Sequence, residues 1–419
     1  MKIAIISDQH LGYAWGTERE NDSFDQFDEA LSEALSFSDL IIMPGDIFDS
    51  RIPKQEVLDK AFAIFQKARE SKPSEAKLVS TVNKEVVNDD ALKGIPIIAI
   101  HGTHEKRSQG TVNPVQLLER AGYLIHLDGQ AVVFQKEGKK VAIHGMSGVP
   151  EQYAKKTIEE HNYRPINGAV NIFVFHQSLK EFIPSGDIEV LSVEDLPKGF
   201  DLYIDGHIHA PYYDESRRLL IAGSTIVTQQ KGEEVKAKGY YVLDSADMSL
   251  TFRKIKHQRP FIYKELFFED AAPSEVVSKA EKEIESILKS EFEKKPLIRI
   301  KLSGTLQRAS SSNRLDLRCL IEKFRDLALL SFINDMESED LASIVKDLHK
   351  KHMGKRSVEE MGLEIINEQL ASTKYKGPAV SKILDLLAEG RTDEIMALLD
   401  REFERRYAKK KELLGYDNK

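Results

Sequence analysis

The chain has 419 residues, of which 41% are apolar and 31% charged. At roughly 150 residues per domain, that length suggests two to three domains. The composition is that of a well-solvated protein with large cores, not of a disordered or membrane-embedded one. No apolar run approaches the ~18–20 residues that span a bilayer, and the stretch before Asp8 is too short for the core of a signal peptide. The single cysteine, Cys319, excludes an internal disulfide framework and a cysteine-based zinc cage, and it favours a reducing, cytoplasmic setting. The formal net charge is −8, from 60 basic and 68 acidic side chains. On its face this counts against a protein that tracks phosphate backbones.

Strand and helix patterns alternate from the start. KIAIIS (2–7) reads as a buried strand, and residues 21–36 carry Phe24, Phe27, Leu31 and Leu35 at helical spacing. DLIIMPGD returns to strand, and Pro53 opens a helix with Leu58, Phe62 and Phe65. Residues 72–93 are polar and weakly periodic, the mark of a long insertion. IPIIAIHG is a third strand, and Val115 to Arg120 lie in a short helix. AVVFQKEGKKVAIHGM is a hairpin turning at Glu137-Gly138, and NIFVFH, DLYID, RLLIAGS and GYYVLDSADMSLTFRKI follow as further strands. The expected fold is α/β: a two-sheet sandwich flanked by helices.

Near Arg259-Pro260 the pattern resets. FIYKELFF and PLIRIKLSG read as strands around a helix at 274–290; a second helix covers 315–326 and is followed by the strand LALLSFI. The expected organisation is a first domain at 1–258, a small α+β domain at 259–335, a helical linker at 336–374 and a helical hairpin at 375–419. The hairpin carries Val380, Ile383, Leu384 and Leu387 on one helix and Ile395, Leu398, Leu399 and Phe403 on the next. Such a pair fits a partner groove or docking on this chain's own body equally well.

Five clusters of hard ligands each follow a strand. They are Asp8-Gln9-His10, Gly45-Asp46, Gly102-Thr103-His104-Glu105, His176 and Gly206-His207-Ile208-His209. Residues two apart on extended chain point the same way, so Asp8 can converge with His10 and His207 with His209. Carboxylate and imidazole without thiolate suit Mn²⁺, Fe²⁺ or Zn²⁺ better than Ca²⁺. Glycines before Asp46 and His207 allow sharp turns and close approach. A lone D-x-H or H-x-H arises by chance; the ordered set, each member abutting a strand, points to a dinuclear phosphoesterase site.

The set D-x-H, GD, G-x-H-[DE], H and G-H-x-H resembles the signature of the calcineurin-like metallophosphoesterases. Within them the chain is similar to the Mre-eleven/SbcD family of DNA double-strand-break repair nucleases. DQHLGY at 8–13, GDIFDS at 45–50, NPVQLLERAGY at 113–123, IHGM at 143–146, AGS at 222–224 and RPF at 259–261 carry that resemblance. It implies that Asp8, His10, Asp46 and His209 hold one metal, and that Asp46 bridges to a second held by His176 and His207. It makes His104 the residue that assists phosphodiester cleavage. The expected ions are two Mn²⁺, with Mg²⁺, Fe²⁺ or Zn²⁺ as substitutes. One position departs from the family: asparagine usually precedes the catalytic histidine, and here it is Thr103. A threonine hydroxyl is a shorter, weaker ligand, so direct ligation, ligation through water and transfer of the role to Glu105 or His101 all stay open.

The resemblance implies a Mn²⁺-dependent 3′-to-5′ exonuclease on duplex ends and endonuclease on single strands, nucleoid-associated, with no membrane partner. It implies a homodimer, assembled as a heterotetramer with an SMC-like ABC ATPase of the Rad-fifty/SbcC type that the C-terminal hairpin grips. The alternatives are a catalytically weak scaffold that binds DNA ends and a phosphodiesterase of small nucleotides. Two divalent ions and local cations at Arg51, Lys54, Lys106, Arg107, Lys254 and Lys256 reconcile the acidic total with DNA. His101, His126 and His144 read as supporting or core histidines and Cys319 as a small core residue, while Tyr13 and Trp15 either stack on a nucleotide or pack over their loop.

Overall fold

Eight elements open the chain in the computed structural model: β1 (Lys2–Ile5), α1 (Asp22–Leu35), β2 (Leu40–Met43), α2 (Gln55–Glu70), β3 (Lys77–Val82), β4 (Ile97–Ala99), α3 (Pro114–Arg120) and β5 (Ile125–His126). The hairpin β6 (Gln130–Lys136) and β7 (Lys139–Met146) follows, then α4 (Glu151–His161), β8 (Ala169–Phe175), β9 (Leu202–Asp205), β10 (Tyr212–Asp214), β11 (Leu219–Ile221), β12 (Gly239–Asp244) and β13 (Ser249–Lys254). A last group comprises β14 (Phe261–Ala271), α5 (Pro273–Ile287), β15 (Leu297–Leu306), α6 (Arg318–Phe324) and β16 (Leu329–Ser338). The structure describes residues 1–108, 110–183, 190–307 and 315–338, together with Lys382, Ile383, Leu386, Glu394, Ile395 and Leu398.

Two sheets stack face to face. The first has six strands in the order β13-β12-β1-β2-β4-β5, and the second has seven, β10-β11-β9-β8-β7-β6-β3. Within the first, β1, β2, β4 and β5 are parallel; within the second, β7, β8, β9 and β11 are. Alternation along each strand sends side chains into two cores. Ile3, Ile5, Ile42 and Ile98 meet Val132, Ile143, Ile172 and Ile204 between the sheets. Ala4, Ile6, Ile41 and Ile97 face outward onto Phe27 and Leu31 of α1, Ala61 and Phe65 of α2, and Leu118 of α3. On the far side of the second sheet, Phe173, Phe175 and Ile221 are covered by Ala154 and Ile158 of α4. Burial on both faces explains why these short strands read as unbroken apolar runs. The expected helix-flanked two-sheet sandwich is what forms.

The third sheet, β14-β15-β16, has its own core, in which Ile298, Ile300 and Leu302 pack on Val276, Ala280 and Ile284 of α5 and on Leu320 and Phe324 of α6. The chain divides into two compact units, Met1–Leu306 with Ser310–Met336, and Gln307–Ala309 with Glu337–Lys419. The candidate site lies wholly in the first.

Several expectations change. The stretch 72–93 is not a plain insertion: it contains β3, an edge strand paired to β6 with a register shift between Leu78 and Ser80. An edge strand buries little, so its pattern is polar. The helix expected over 315–326 shortens to α6, and Cys319 is exposed, its thiol directed at the Asp316 carbonyl 3.1 Å away, because α6 turns Leu320 and Phe324 inward instead. α4, β5 and β10 were not anticipated. Of the C-terminal hairpin, the six described residues are helical and Ile395 is buried. The rest of the hairpin and of the linker, from residue 339 on, lies outside the described residues. No described helix is long and apolar enough to cross a membrane.

Candidate metal centre

Every candidate ligand sits in the loop that follows a parallel strand. Asp8 and His10 follow β1, Asp46 follows β2, Thr103 and His104 follow β4, His176 follows β8, and His207 and His209 follow β9. In open α/β sheets this rim is where backbone leaves the ladders and polar groups converge. Asp8, His10, Asp46 and His207 have φ of 50°, 46°, 48° and 65°. Left-handed backbone at a non-glycine residue costs ~1–3 kcal/mol. Convergence therefore comes from tight left-handed turns, not from the extended alternation expected of D-x-H and H-x-H. His207 and His209 accordingly part company: their ligand atoms fall in different groups.

Three groups of ligand atoms lie within 4.8 Å of one another: Asp8, His10 and His209; His10, Asp46 and His104; and Asp46, His176 and His207. His10 Nε2 is 3.1 Å from His209 Nε2, and His176 Nε2 is 3.1 Å from Asp46 Oδ2. Asp8 is further held by Ser7 Oγ and by the His207 N–H at 3.0 Å, and the His104 N–H donates to Asp46 Oδ1 at 2.9 Å. Gly45, at φ 99°, and Gly206 make the crowding possible, since a Cβ on either would come 2.6 Å from His176 Nδ1.

The histidines are oriented from behind. His176 Nδ1 lies 2.8 Å from the Pro44 carbonyl, His209 Nδ1 lies 2.8 Å from Thr228 Oγ1 and 3.5 Å from Glu234 Oε1, and His10 Nδ1 lies 3.3 Å from Asp49 Oδ1. His207 Nε2 meets Ser178 Oγ at 3.0 Å. Carboxylates, carbonyls and hydroxyls behind a ring nitrogen are the usual supports of a ligating imidazole.

The electrostatics suit a cation. Burial opposes charge on His176, yet Asp46 and Asp8 raise it to about 10. Burial also opposes charge on His10, while Asp49, Asp46 and Asp8 raise it above the ordinary imidazole value. Burial alone would raise Asp46, but His176, His10 and His104 hold it well below the carboxylate range. A field that retains protons on buried imidazoles also attracts a divalent ion, which displaces them. His176 Nε2 is fully buried and has no aligned hydrogen-bond partner despite facing Asp46. The all-N/O donor set and this orphaned nitrogen fit divalent metal ions.

Thr103 and His104 line a groove of about 570 Å³ with Asp49, Ser50, Arg51 and Ile52. Neither substitute considered for Thr103 is free. Glu105 is fully buried and accepts the N–H groups of Phe48 at 2.8 Å and Gly102 at 2.9 Å; burial and the Asp46 charge push it up to about 8. His101 Nδ1 lies 3.0 Å from His126 Nε2, in a buried pair that closes on Ser147. His144 is a core residue, edge-on to Phe200. Tyr13 and Trp15 are engaged within the fold: Tyr13 donates to the Thr228 carbonyl at 2.7 Å, on the segment behind His209, and Trp15 lies edge-on to Phe24 of α1. The supporting roles of Asp49, Thr228, Glu234, Lys238 and Ser178 were missed. Asp49 sat inside the GDIFDS run, and Glu234 and Lys238 were legible only as an i, i+4 pair.

The pattern of the calcineurin-like phosphoesterases matches residues 1–211. The chain belongs to that family, whose members use divalent metal. Its curated relatives include proteins named for DNA double-strand-break repair. A protein of Methanopyrus kandleri named "DNA double-strand break repair protein Mre11" is 29% identical over 51% of this chain and 46% of its own length. Proteins of the same name from Sulfolobus acidocaldarius (26% identical, 73% of this chain, 76% of theirs) and Methanococcus maripaludis (30%, 58% and 63%) are likewise similar. The chain thus spans about half the length of the first of these.

Proposed function

We propose that the chain is a Mn²⁺-dependent DNA nuclease that processes double-strand breaks, as a 3′-to-5′ exonuclease on duplex ends and an endonuclease on single strands. The observation that carries the reading is the overlap of three Asp/His groups through the shared members His10 and Asp46. Asp8, His10, Asp46 and His209 would hold one ion, and Asp46, His176, His207 and Thr103 the other. When bound, such a pair supplies Lewis acidity toward the scissile phosphate and a nucleophile at neutral pH.

The chain's own residues do the rest. His104 is exposed on the groove, its ring edge-on to His10, with Nδ1 3.1 Å from the Asp49 carbonyl. With Nδ1–H donated there, a second proton on Nε2 would stabilise the phosphate charge or pass to the leaving 3′-oxygen. Arg51 on the same rim adds positive charge along the strand. Since Glu105 and His101 are engaged elsewhere, the second ion depends on Thr103, and it is the looser of the two.

Residues 259–335 would act as a capping domain for DNA. Residues 375–419 would grip the coiled-coil base of an SMC-like ABC ATPase of the Rad-fifty/SbcC type, in a heterotetramer built on a homodimer. Leu117, exposed on α3, fits the dimer surface. Deleting 375–419 should abolish pull-down of the ATPase and leave Mn²⁺-dependent cleavage intact.

Thr103 favours a second reading, a DNA-end scaffold with little hydrolysis. A panel of duplex DNA, cyclic nucleotides and p-nitrophenyl phosphate esters, assayed with Mn²⁺ for the wild type and Thr103→Asn, separates these readings. Duplex cleavage by the wild type supports the nuclease. DNA binding without cleavage by either protein supports the scaffold, and hydrolysis of the small esters alone supports a nucleotide phosphodiesterase.

A further inference from the structure

The segment from Thr228 to Glu234 stands directly behind His209, and the third sheet holds it there. Thr228 Oγ1 and Glu234 Oε1 flank His209 Nδ1 at 2.8 and 3.5 Å. Glu234 is fixed in turn: Lys238 Nζ, 1% exposed, donates to its Oε1 at 3.1 Å, and the Gln230 N–H donates to its Oε2 at 2.6 Å. Gln230 itself is left-handed, at φ 53°, so something outside the turn must keep it in place.

Those restraints come from the sheet at the far end of the chain. Arg299 on β15 donates Nη1 to the carbonyls of Gln229 at 2.9 Å and Gln230 at 3.5 Å. Ser331 on β16 donates to Gln230 Oε1 at 2.9 Å, and Tyr263 on β14 packs over Gly232. Hydrogen bonds from a guanidinium to two successive carbonyls fix a peptide's direction as well as its position.

We infer that Arg299 is a positioning residue for His209: the third sheet, through the 228–234 segment, aims His209 Nε2 and so sets the affinity of the ion shared with Asp8 and His10. The inference rests on the dinuclear reading above. It separates the two sites, because no contact of this kind reaches His176 or His207 among the described residues.

The test uses the full chain, freed of metal and titrated with Mn²⁺ alone, the free ion being followed by electron paramagnetic resonance. The wild type should take up two ions. Arg299→Ala should weaken one of them about tenfold and leave the other unchanged, the scale at which residues supporting a ligand act. Ser331→Ala, a milder change that spares the core, should shift the same ion in the same direction, and Arg299→Lys should recover most of the loss. In a His176→Ala background the Arg299→Ala effect should persist; in a His10→Ala background it should vanish. Wild-type affinity for both ions in Arg299→Ala, or equal weakening of both, overturns the inference. A wild type that binds fewer than two ions contradicts the dinuclear reading itself and takes the inference with it.

Discussion

Left-handed backbone at Asp8, His10, Asp46 and His207 has to be held against its own preference, and the local hydrogen bonds do so. The Asp8 N–H bonds the Gly45 carbonyl at 3.2 Å, the His10 N–H bonds the Asp46 carbonyl at 3.0 Å, and the His207 N–H bonds Asp8 Oδ1. Each ligand's backbone is thus clamped by the loop of another, and the side chains arrive preorganised. Away from the site, His144 shows what a buried imidazole without a carboxylate does. Burial depresses it to about 4, against 6.5 for a free imidazole. A depressed base favours the fold above its unfolded value and loses that contribution as pH falls from 6.5 toward 4. Urea melts of the metal-free protein should therefore show the wild type losing about 2 kcal/mol more than His144→Leu between pH 7.5 and pH 5. Equal losses would mean that His144 is not the responsible group.

At the level of elements, the loop bearing Thr103 and His104 is carried between β4 and α3, and α3 starts with a full capping box. The Asn113 side chain accepts from the Gln116 N–H at 2.8 Å, the Gln116 side chain accepts from the Asn113 N–H at 3.1 Å, and Pro114 opens the first turn. Asn113→Ala should cost about 1 kcal/mol in chemical denaturation and release the loop at His104 before the rest of the sandwich, visible as faster amide exchange there. The elements legible in the sequence are those with sharp physical signals. β1, β2 and β8 are apolar on both faces, and the β6–β7 hairpin turns on Glu137 and Gly138, both at positive φ. β3 and α4 lack such signals, since an edge strand and a helix that buries only Ala154 and Ile158 look like polar loop. The site was legible as a list of ligands, because each abuts a strand. The grouping implied by the family resemblance matches the observed clusters, whereas strand alternation would have joined His207 to His209, because left-handed turns decide which side chains meet.

At the scale of the molecule, the third sheet is fastened to the sandwich by charge. Arg259 Nε and Nη2 grip the Asp22 carboxylate at 2.6 and 2.9 Å, and the same guanidinium bonds the Lys295 and Glu18 carbonyls. Asp22 is buried, but it keeps Arg19 as a second partner at 3.3 Å. Arg259→Ala should therefore destabilise by about 2 kcal/mol, less than the loss of a sole buried partner. Thermal melts should show this as a lower midpoint, and an unchanged midpoint would show the junction to be held otherwise.

On the proposed reading, the acidic total of −8 includes carboxylates that divalent ions would neutralise, while Arg51 at the groove and Lys254 and Lys256 at the junction present local positive charge. The most direct test is cleavage of a 5′-labelled DNA duplex with Mn²⁺, with Mg²⁺ and with chelator, for the wild type beside Asp46→Asn. The proposed nuclease gives Mn²⁺-dependent shortening of the labelled strand that chelator abolishes and that Asp46→Asn lacks. Cleavage that survives chelator, or that Asp46→Asn retains in full, would contradict the proposal.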